Sequence, residues 1–478
     1  MRFFEVLIVV FNILLIGWIL LFKNKSQRGL LIGFGVSAII MLVHGVIEGM
    51  RWPMIPAYVM TALPLVIFAV SLKSKSRQAG KQTARKRSIV KLVLLTLLTV
   101  IYSAVAVALP VLLPVFTFNK PSGPYKIGTV TYDWKDDQRD EVLTPETSGK
   151  RELMVQVWYP ADAKAKGKTE FYHAEPDIFA EGYSKVFNMP KLLFTAFGKV
   201  RTHAIENAEI SNVESSYPVL IFSHGLSGTK MQNTFQVEQL VSHGYIVVGI
   251  DHTYSSTVSI FPDGRVAYYQ PIDMTSTGPM DKLNDQWVGD AEFVLDQVEK
   301  LAANDPEHRF TGRMDMNNVG MFGHSFGGAT SVQMVMKDSR VKAAINMDGV
   351  LYGKLRIPGE GLNKPFLMMS ADSSLEALQS TDNSELSALG KKLMERFDHI
   401  ADGGNYWMTI KNMTHMGFTD IYLLSPLFQF LQKGNIREAH SLINDYSLDF
   451  FDYYLKKKPL RLLEQNIGEY SAFTLQKD

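Results

Sequence analysis

Residues 318–329 place an apolar run, Val319-Gly320-Met321-Phe322, directly before Gly323-His324-Ser325-Phe326-Gly327-Gly328-Ala329. The pattern is a strand, then Gly-x-Ser-x-Gly, then a helix of small residues. That order builds a sharp turn in which a serine takes a strained backbone conformation, and the positions two before and two after it must lack bulk. The turn lifts the hydroxyl above the sheet, and the helix N-terminus behind it favours developing negative charge. Ser325 is the candidate nucleophile. A serine hydroxyl alone is a poor one; it needs a base, and the base needs an acid to orient it.

In the strand-turn-helix context the chain order is serine, then Asp or Glu, then His, each at a strand end. His415 fills the last slot, following the strand-like run Tyr406–Ile410 in Lys411-Asn412-Met413-Thr414-His415-Met416-Gly417. His399 precedes that run, and His440 lies in a polar helical stretch. Two acids fit the middle slot: Asp348 after the run Ala343–Met347, and Asp372 after Phe366–Met369. Order alone leaves both open. An acyl-transfer site also needs two backbone N–H groups aimed at the developing oxyanion. Phe326, the residue after the nucleophile, is one candidate donor. Leu226, in Ser223-His224-Gly225-Leu226-Ser227-Gly228 after the run Val219–Phe222, is the other. This chemistry requires no metal and no cofactor. The absence of cysteine rules out disulfides, thiolate nucleophiles and cysteine-ligated zinc. A net charge of +1 gives no basic face for nucleic acid.

The elements that must position these residues alternate in type. Strand-like runs at Lys126–Tyr132, Glu152–Tyr159, Val219–Phe222, Tyr245–Ile250, Val319–Phe322, Ala343–Met347, Phe366–Met369 and Tyr406–Ile410 are separated by helical stretches such as Asp285–Ala302 and Gly327–Met336. A last helix spans about Ser441–Leu455. This is the α/β pattern of a mostly parallel sheet flanked by helices. The apolar stretch with Phe179, Tyr183, Val186, Phe187, Met189, Leu192, Leu193, Phe194 and Phe197 reads as core, with a lid that dips toward a bilayer as the alternative.

Four apolar runs precede all of this: Phe4–Phe22, Leu30–Ile47, Met54–Leu72 and Ile89–Phe116. Each is long enough to cross a hydrocarbon core as helix. The first is followed by Lys23-Asn24-Lys25 and not by a small-residue cleavage site, so it reads as a retained span. Loop one carries Lys23, Lys25 and Arg28, and loop three carries Lys73, Lys75, Arg77, Lys81, Arg85, Lys86 and Arg87; loop two has only Arg51, offset by Glu48. The excess of basic residues places loops one and three in the cytoplasm. The N-terminus and everything after the fourth span are then extracytoplasmic, at the cell membrane. His44 and Glu48, one turn apart at the end of the second span, read as interfacial groups touching headgroups. Pro110 and Pro114 should kink or end the fourth span. The expected organisation is a four-helix transmembrane domain, 1–118, and an extracytoplasmic domain, 119–478.

That second part resembles the plasma-type platelet-activating-factor acetylhydrolases and their dienelactone-hydrolase-like bacterial relatives. The matching segments are Gly123-Pro124-Tyr125-Lys126-Ile127-Gly128, Val157-Trp158-Tyr159-Pro160, Tyr217-Pro218-Val219-Leu220-Ile221-Phe222-Ser223-His224-Gly225-Leu226, Ser242-His243-Gly244-Tyr245-Ile246-Val247 and Gly323-His324-Ser325-Phe326-Gly327-Gly328-Ala329-Thr330. The resemblance spans roughly residues 123–430 and implies an α/β-hydrolase fold with metal-independent cleavage of acyl esters, notably short acyl groups on phospholipids. It also implies Ser325 as nucleophile, His415 as base and Leu226 and Phe326 as oxyanion donors. The family's acid lies on the strand just after the nucleophile helix, which favours Asp348. The four-helix anchor and a long region from Asp372 to Asn405 depart from the family pattern. The expected substrate is a lipid or small-molecule ester. Esters of the cell envelope or exogenous non-lipid esters are the alternative, and a membrane protein that only binds a ligand is the remaining non-catalytic reading.

Overall fold

The apolar runs at the start of the chain become helices α1 (Phe3–Leu21), α2 (Gln27–Ile47), α3 (Ile55–Arg77) and α4 (Ile89–Leu112) in the computed structural model. The structure describes all residues except 23–25, 78–88, 145–148, 275, 380–383 and 478. All four helices contain stretches long and apolar enough to cross a membrane. The chain divides into two compact units, Met1–Val115 with Leu424–Leu427, and Phe116–Leu423 with Phe428–Asp478. Lys23, Lys25, Lys81, Arg85, Lys86 and Arg87, on which much of the charge pattern rests, lie outside the described residues.

Several buried polar groups of the first unit find partners within it, as burial demands. Asn12 donates to Thr61 Oγ1 and to the Ala57 carbonyl, both at 2.9 Å, and buried Ser37 joins them. Glu5 pairs with Arg51 at 2.6 Å and with Arg2 at 2.7 Å. His44 departs from the headgroup contact expected of it. It is fully buried, with Glu48 at 3.0 Å on one ring nitrogen and the Tyr58 hydroxyl at 2.7 Å on the other. Pro110 stands in the last turn of α4, which ends two residues later at Leu112.

The second unit is built on one twelve-stranded sheet. Its strands are β1 (Lys126–Asp140), β2 (Lys150–Ala161), β3 (Thr169–Phe171), β4 (Arg201–Glu206), β5 (Tyr217–Ser223) and β6 (Ile246–Asp251). After a separate two-stranded ribbon of β7 (Val258–Ile260) and β8 (Val266–Tyr268) come β9 (Met314–His324), β10 (Val341–Met347), β11 (Phe366–Ala371), β12 (Tyr406–Ile410), β13 (Gly468–Glu469) and β14 (Phe473–Lys477). The spatial order is β13-β14-β12-β11-β10-β9-β5-β6-β2-β1-β4-β3. The run from β12 to β6 is parallel throughout, whereas β2 joins β6 antiparallel and β14 joins β12 antiparallel. Every residue of β5, β6 and β11 is buried. Helices on both faces require this, and it explains why these strands read as continuous apolar runs.

Helices α5 (Pro176–Phe187), α6 (Thr234–Ser242), α7 (Thr277–Ala303), α8 (Phe326–Lys337), α9 (Asp372–Gln379), α10 (Ser384–Met394), α11 (Pro426–Gln429), α12 (Ile436–Lys456) and α13 (Leu462–Gln465) complete the chain. Among the described residues, the long region after Asp372 holds α9, α10 and a short 3-10 turn at Glu395–Phe397. Within it Arg396 reaches Asp281 on α7 at 2.7 Å and the Leu351 carbonyl at 3.0 Å. The parallel strands all end on one side. There β5, β9, β10 and β12 deliver the loops with Leu226, Ser325, Asp348 and His415, as expected where open α/β sheets carry ligand sites beyond the carboxyl ends of their strands.

Candidate active site

Ser325 joins β9 to α8 with φ 54° and ψ −118°, a conformation rarely adopted outside glycine. Two glycines make the turn possible. A Cβ on Gly323 would lie 2.3 Å from the Gly327 backbone, and one on Gly327 would lie 2.1 Å from the Ser223 carbonyl oxygen. β9, the turn and β5 pack backbone to backbone, so no side chain fits at either place. The Ser325 N–H donates to the Met347 carbonyl at 2.8 Å, tying the turn to the end of β10.

His415 Nε2 lies 2.9 Å from Ser325 Oγ, and His415 Nδ1 lies 2.7 Å from Asp348 Oδ2. A carboxylate only accepts, so Nδ1 carries the proton and Nε2 is free to take one from the serine. Asp348 is buried and also accepts the Ala371 N–H at 2.7 Å and the Ser374 hydroxyl at 2.5 Å. Three donors fix its orientation. The other acid read from the sequence, Asp372, does not meet the imidazole. It accepts the N–H groups of Ser373, Asn412 and Met413 at 2.8, 2.7 and 3.0 Å, and so braces the loop leading to His415.

Leu226 and Phe326 flank the serine. A Cβ on Gly225 would stand 3.3 Å from Ser325 Cβ, which measures how closely the β5 loop approaches. Phe326 is the first residue of α8, whose leading N–H groups have no acceptor within the helix.

The sequence reading missed His324 and Gln232. His324 Nε2–H donates to the His415 carbonyl at 3.0 Å, and Gln232 Nε2 donates to His324 Nδ1 at 2.8 Å. Burial drives the His324 pKa well below its ordinary value, so it braces the site as a neutral ring. Its place inside the serine motif was the available signal. A pocket of about 180 Å³ opens over Ser325 and His415, walled by Tyr172, Tyr183, Phe187, Phe197, Leu226 and Met416 among others. The apolar stretch read as core is therefore both core and wall. Phe179, Tyr183, Phe194 and Phe197 are buried, while Phe187, Met189 and Leu192 are exposed.

Behind the β5 loop lies a second array, buried except for the partly exposed Arg139 at its end. Ser223 Oγ meets His252 Nε2 at 2.9 Å, His252 Nδ1 meets Asp290 at 2.9 Å, and Asp290 pairs with Arg151 at 2.6 Å and Arg139 at 2.8 Å. Trp287 stacks on His252 with ring centres 3.8 Å apart and meets Phe326 edge-on. Burial pushes the Asp290 carboxyl up, but the Arg151 charge and the hydrogen bonds from His252 and Arg151 outweigh it and hold the group far below the usual carboxylate range. Among the described residues no cluster of His, Asp and Glu could hold a metal ion.

A family model described as platelet-activating factor acetylhydrolase, isoform II, matches residues 114–267 and 295–462. A probable 1-alkyl-2-acetylglycerophosphocholine esterase of Arthroderma benhamiae is 27% identical over 404 residues, covering 78% of this chain and 97% of that protein. A platelet-activating factor acetylhydrolase of Cavia porcellus is 24% identical over 364 residues, covering 71% of this chain and 78% of that one. Among solved structures, a ferulic acid esterase from Streptomyces cinnamoneus superposes with a TM-score of 0.59 at 27% identity, over 76% of this chain and the whole of that one. The expected α/β-hydrolase fold is thus the observed one.

Proposed function

The chain belongs to the platelet-activating factor acetylhydrolase isoform II family, and from that premise we propose that it is a membrane-anchored serine hydrolase that cleaves short acyl esters of phospholipids. The observation that carries the reading is the hydrogen-bonded chain from Ser325 through His415 to Asp348 at 2.9 and 2.7 Å. Ser325 Oγ attacks the ester carbonyl while its proton passes to His415 Nε2. The Leu226 and Phe326 amides hold the tetrahedral oxyanion. His415 then gives that proton to the departing alcohol oxygen as the ester bond breaks. In the second half His415 takes a proton from water, the hydroxide attacks the acyl-enzyme, and His415 returns the proton to Ser325 as the ester bond breaks and the carboxylic acid is released, to ionise in solvent. Asp348 keeps the imidazole in the required tautomer throughout.

The mostly apolar pocket, with aromatic walls and a modest volume, suits a short acyl group. The four apolar helices serve as the anchor, and the basic residues of loops one and three place the N-terminus and the hydrolase unit outside the cytoplasm. One observation favours a second reading: the likeness to a ferulic acid esterase points to non-lipid esters. The test is hydrolysis by the full-length chain in detergent micelles, wild type beside Ser325→Ala, with p-nitrophenyl esters of rising length and a 2-acetyl phospholipid. Turnover of the acetyl phospholipid that vanishes in Ser325→Ala supports the proposal. Serine-dependent turnover of aryl esters with none of the phospholipid favours the second reading. A folded wild type inactive on every ester refutes both.

A further inference from the structure

The loop after β5 contains a histidine that this reaction scheme does not use. His224 is fully buried, and its two ring nitrogens have opposite duties. The backbone N–H of His252 donates to Nε2 at 3.2 Å, so Nε2 carries no proton. Nδ1 faces the carbonyl oxygen of Gly225 at 2.6 Å, so Nδ1–H donates to it. Burial holds the pKa of this imidazole well below its ordinary value and keeps it neutral.

The Gly225 carbonyl belongs to the same peptide unit as the Leu226 N–H. In a trans peptide the two lie in one plane and point in opposite directions, and no peptide bond among the described residues is cis. A donor clamped to that oxygen therefore sets the direction of the Leu226 N–H. Gly228 N–H holds the same oxygen at 2.8 Å. Drawing on the carbonyl also polarises the amide and strengthens its N–H as a donor. The imidazole is anchored in turn by the backbone of His252, the residue just after β6, whose own side chain is fixed by Asp290 and Ser223.

We infer that His224 is a positioning residue for oxyanion stabilisation, acting through the Gly225–Leu226 peptide. This rests on the roles given above to Ser325 and Leu226 and deepens them. Asparagine can place a side-chain N–H where His Nδ1 stands, glutamine places it nearer Nε2, and leucine supplies none.

The test compares His224→Asn, His224→Gln, His224→Leu and Ser325→Ala in the full-length chain in detergent. It measures kcat and KM on p-nitrophenyl acetate and inhibition by an alkyl trifluoromethyl ketone, whose serine adduct puts a tetrahedral oxyanion in this site. His224→Leu should lower kcat by about 10²-fold, the scale of losing one oxyanion donor, with KM changed by less than about threefold. Ketone inhibition should weaken by a similar factor. His224→Asn should recover to within about fivefold of wild type, and His224→Gln should not. A His224→Leu enzyme within about threefold of wild type in kcat, or equal activities for the Asn and Gln variants, would overturn the inference. If His224→Leu does not fold, the Asn–Gln comparison decides alone. A Ser325→Ala enzyme that keeps wild-type turnover overturns the reading of the site itself. An inactive Ser325→Ala beside a fully active His224→Leu overturns only the positioning role.

Discussion

The carboxylate of Asp372 accepts the amide N–H of Met413 at 3.0 Å, two residues before His415. It holds the approach to the imidazole, whereas Asp348 holds the imidazole itself at 2.7 Å. The two acids should respond differently to substitution. Asp348→Asn should lower kcat by about 10⁴-fold, because the amide no longer selects the tautomer with the proton on Nδ1. Asp372→Ala should act through displacement of the loop, lowering kcat by about 10- to 10²-fold and stability by about 1–3 kcal/mol as three N–H groups lose their acceptor. Ester hydrolysis rates and thermal melts of the two variants decide it; equal losses of turnover would contradict the assignment.

Gly327→Ala should fold poorly or not at all. Its Cβ would meet the Ser223 carbonyl oxygen at 2.1 Å, and every atom it would strike first belongs to tightly packed backbone. A loss above about 3 kcal/mol is expected, in the range reserved for strain and overpacking. Gly278→Ala is the matched control. It lies in the first turns of α7 with nothing within 4 Å of an added Cβ, and should be neutral or slightly stabilising. Chemical denaturation of both variants would settle the contrast.

Glu170 should make stability fall as pH rises. Burial pushes its carboxyl up from 4.5 to about 7, against the Gln156 N–H that donates to it at 2.7 Å. Between these values the native state keeps a proton that the unfolded chain has released, so the penalty grows through pH 4.5–7 and is complete above it. Glu170→Gln should therefore stabilise the protein at pH 8 by up to about 3 kcal/mol, with the gain vanishing near pH 4.5. Melting temperatures across that range are the measurement; a gain independent of pH would refute the cause.

Arg151 is fully buried between Asp290 at 2.6 Å and Glu141 at 2.7 Å. Arg151→Met leaves both carboxylates without this partner and should cost about 3–5 kcal/mol, the scale for breaking a buried pair from one side. Urea unfolding of the variant tests it, and a loss under about 1 kcal/mol would show that Arg139 and His252 suffice.

The nucleophile was legible because a strained serine turn needs glycine on both sides, and His415 because it follows the last parallel strand. Chain order did not separate Asp348 from Asp372, since both follow adjacent parallel strands; the family resemblance favoured Asp348, and the hydrogen bonds distinguish the two. The central strands announced themselves by being apolar on both faces. β1 was read to Tyr132 and runs to Asp140, because its polar second half is held by register with β2, Asp136 opposite Arg151, and not by burial. The short strands at the two ends of the sheet, β3 and β4 at one and β13 and β14 at the other, carry too few apolar residues to show a period. α5 hid its double role for a related reason: Tyr183 and Phe187, one turn apart, both line the pocket, yet one is buried and the other exposed.

Two serines in this molecule share the same wiring to an imidazole and a carboxylate. Ser223 is sealed with no exposed surface, and Ser325 opens onto a pocket. A phosphonylating reagent can therefore reach only one of them. Label incorporated at saturation counts competent molecules directly, one mole per mole of chain, so preparations differing in folded fraction can be placed on a common scale of specific activity.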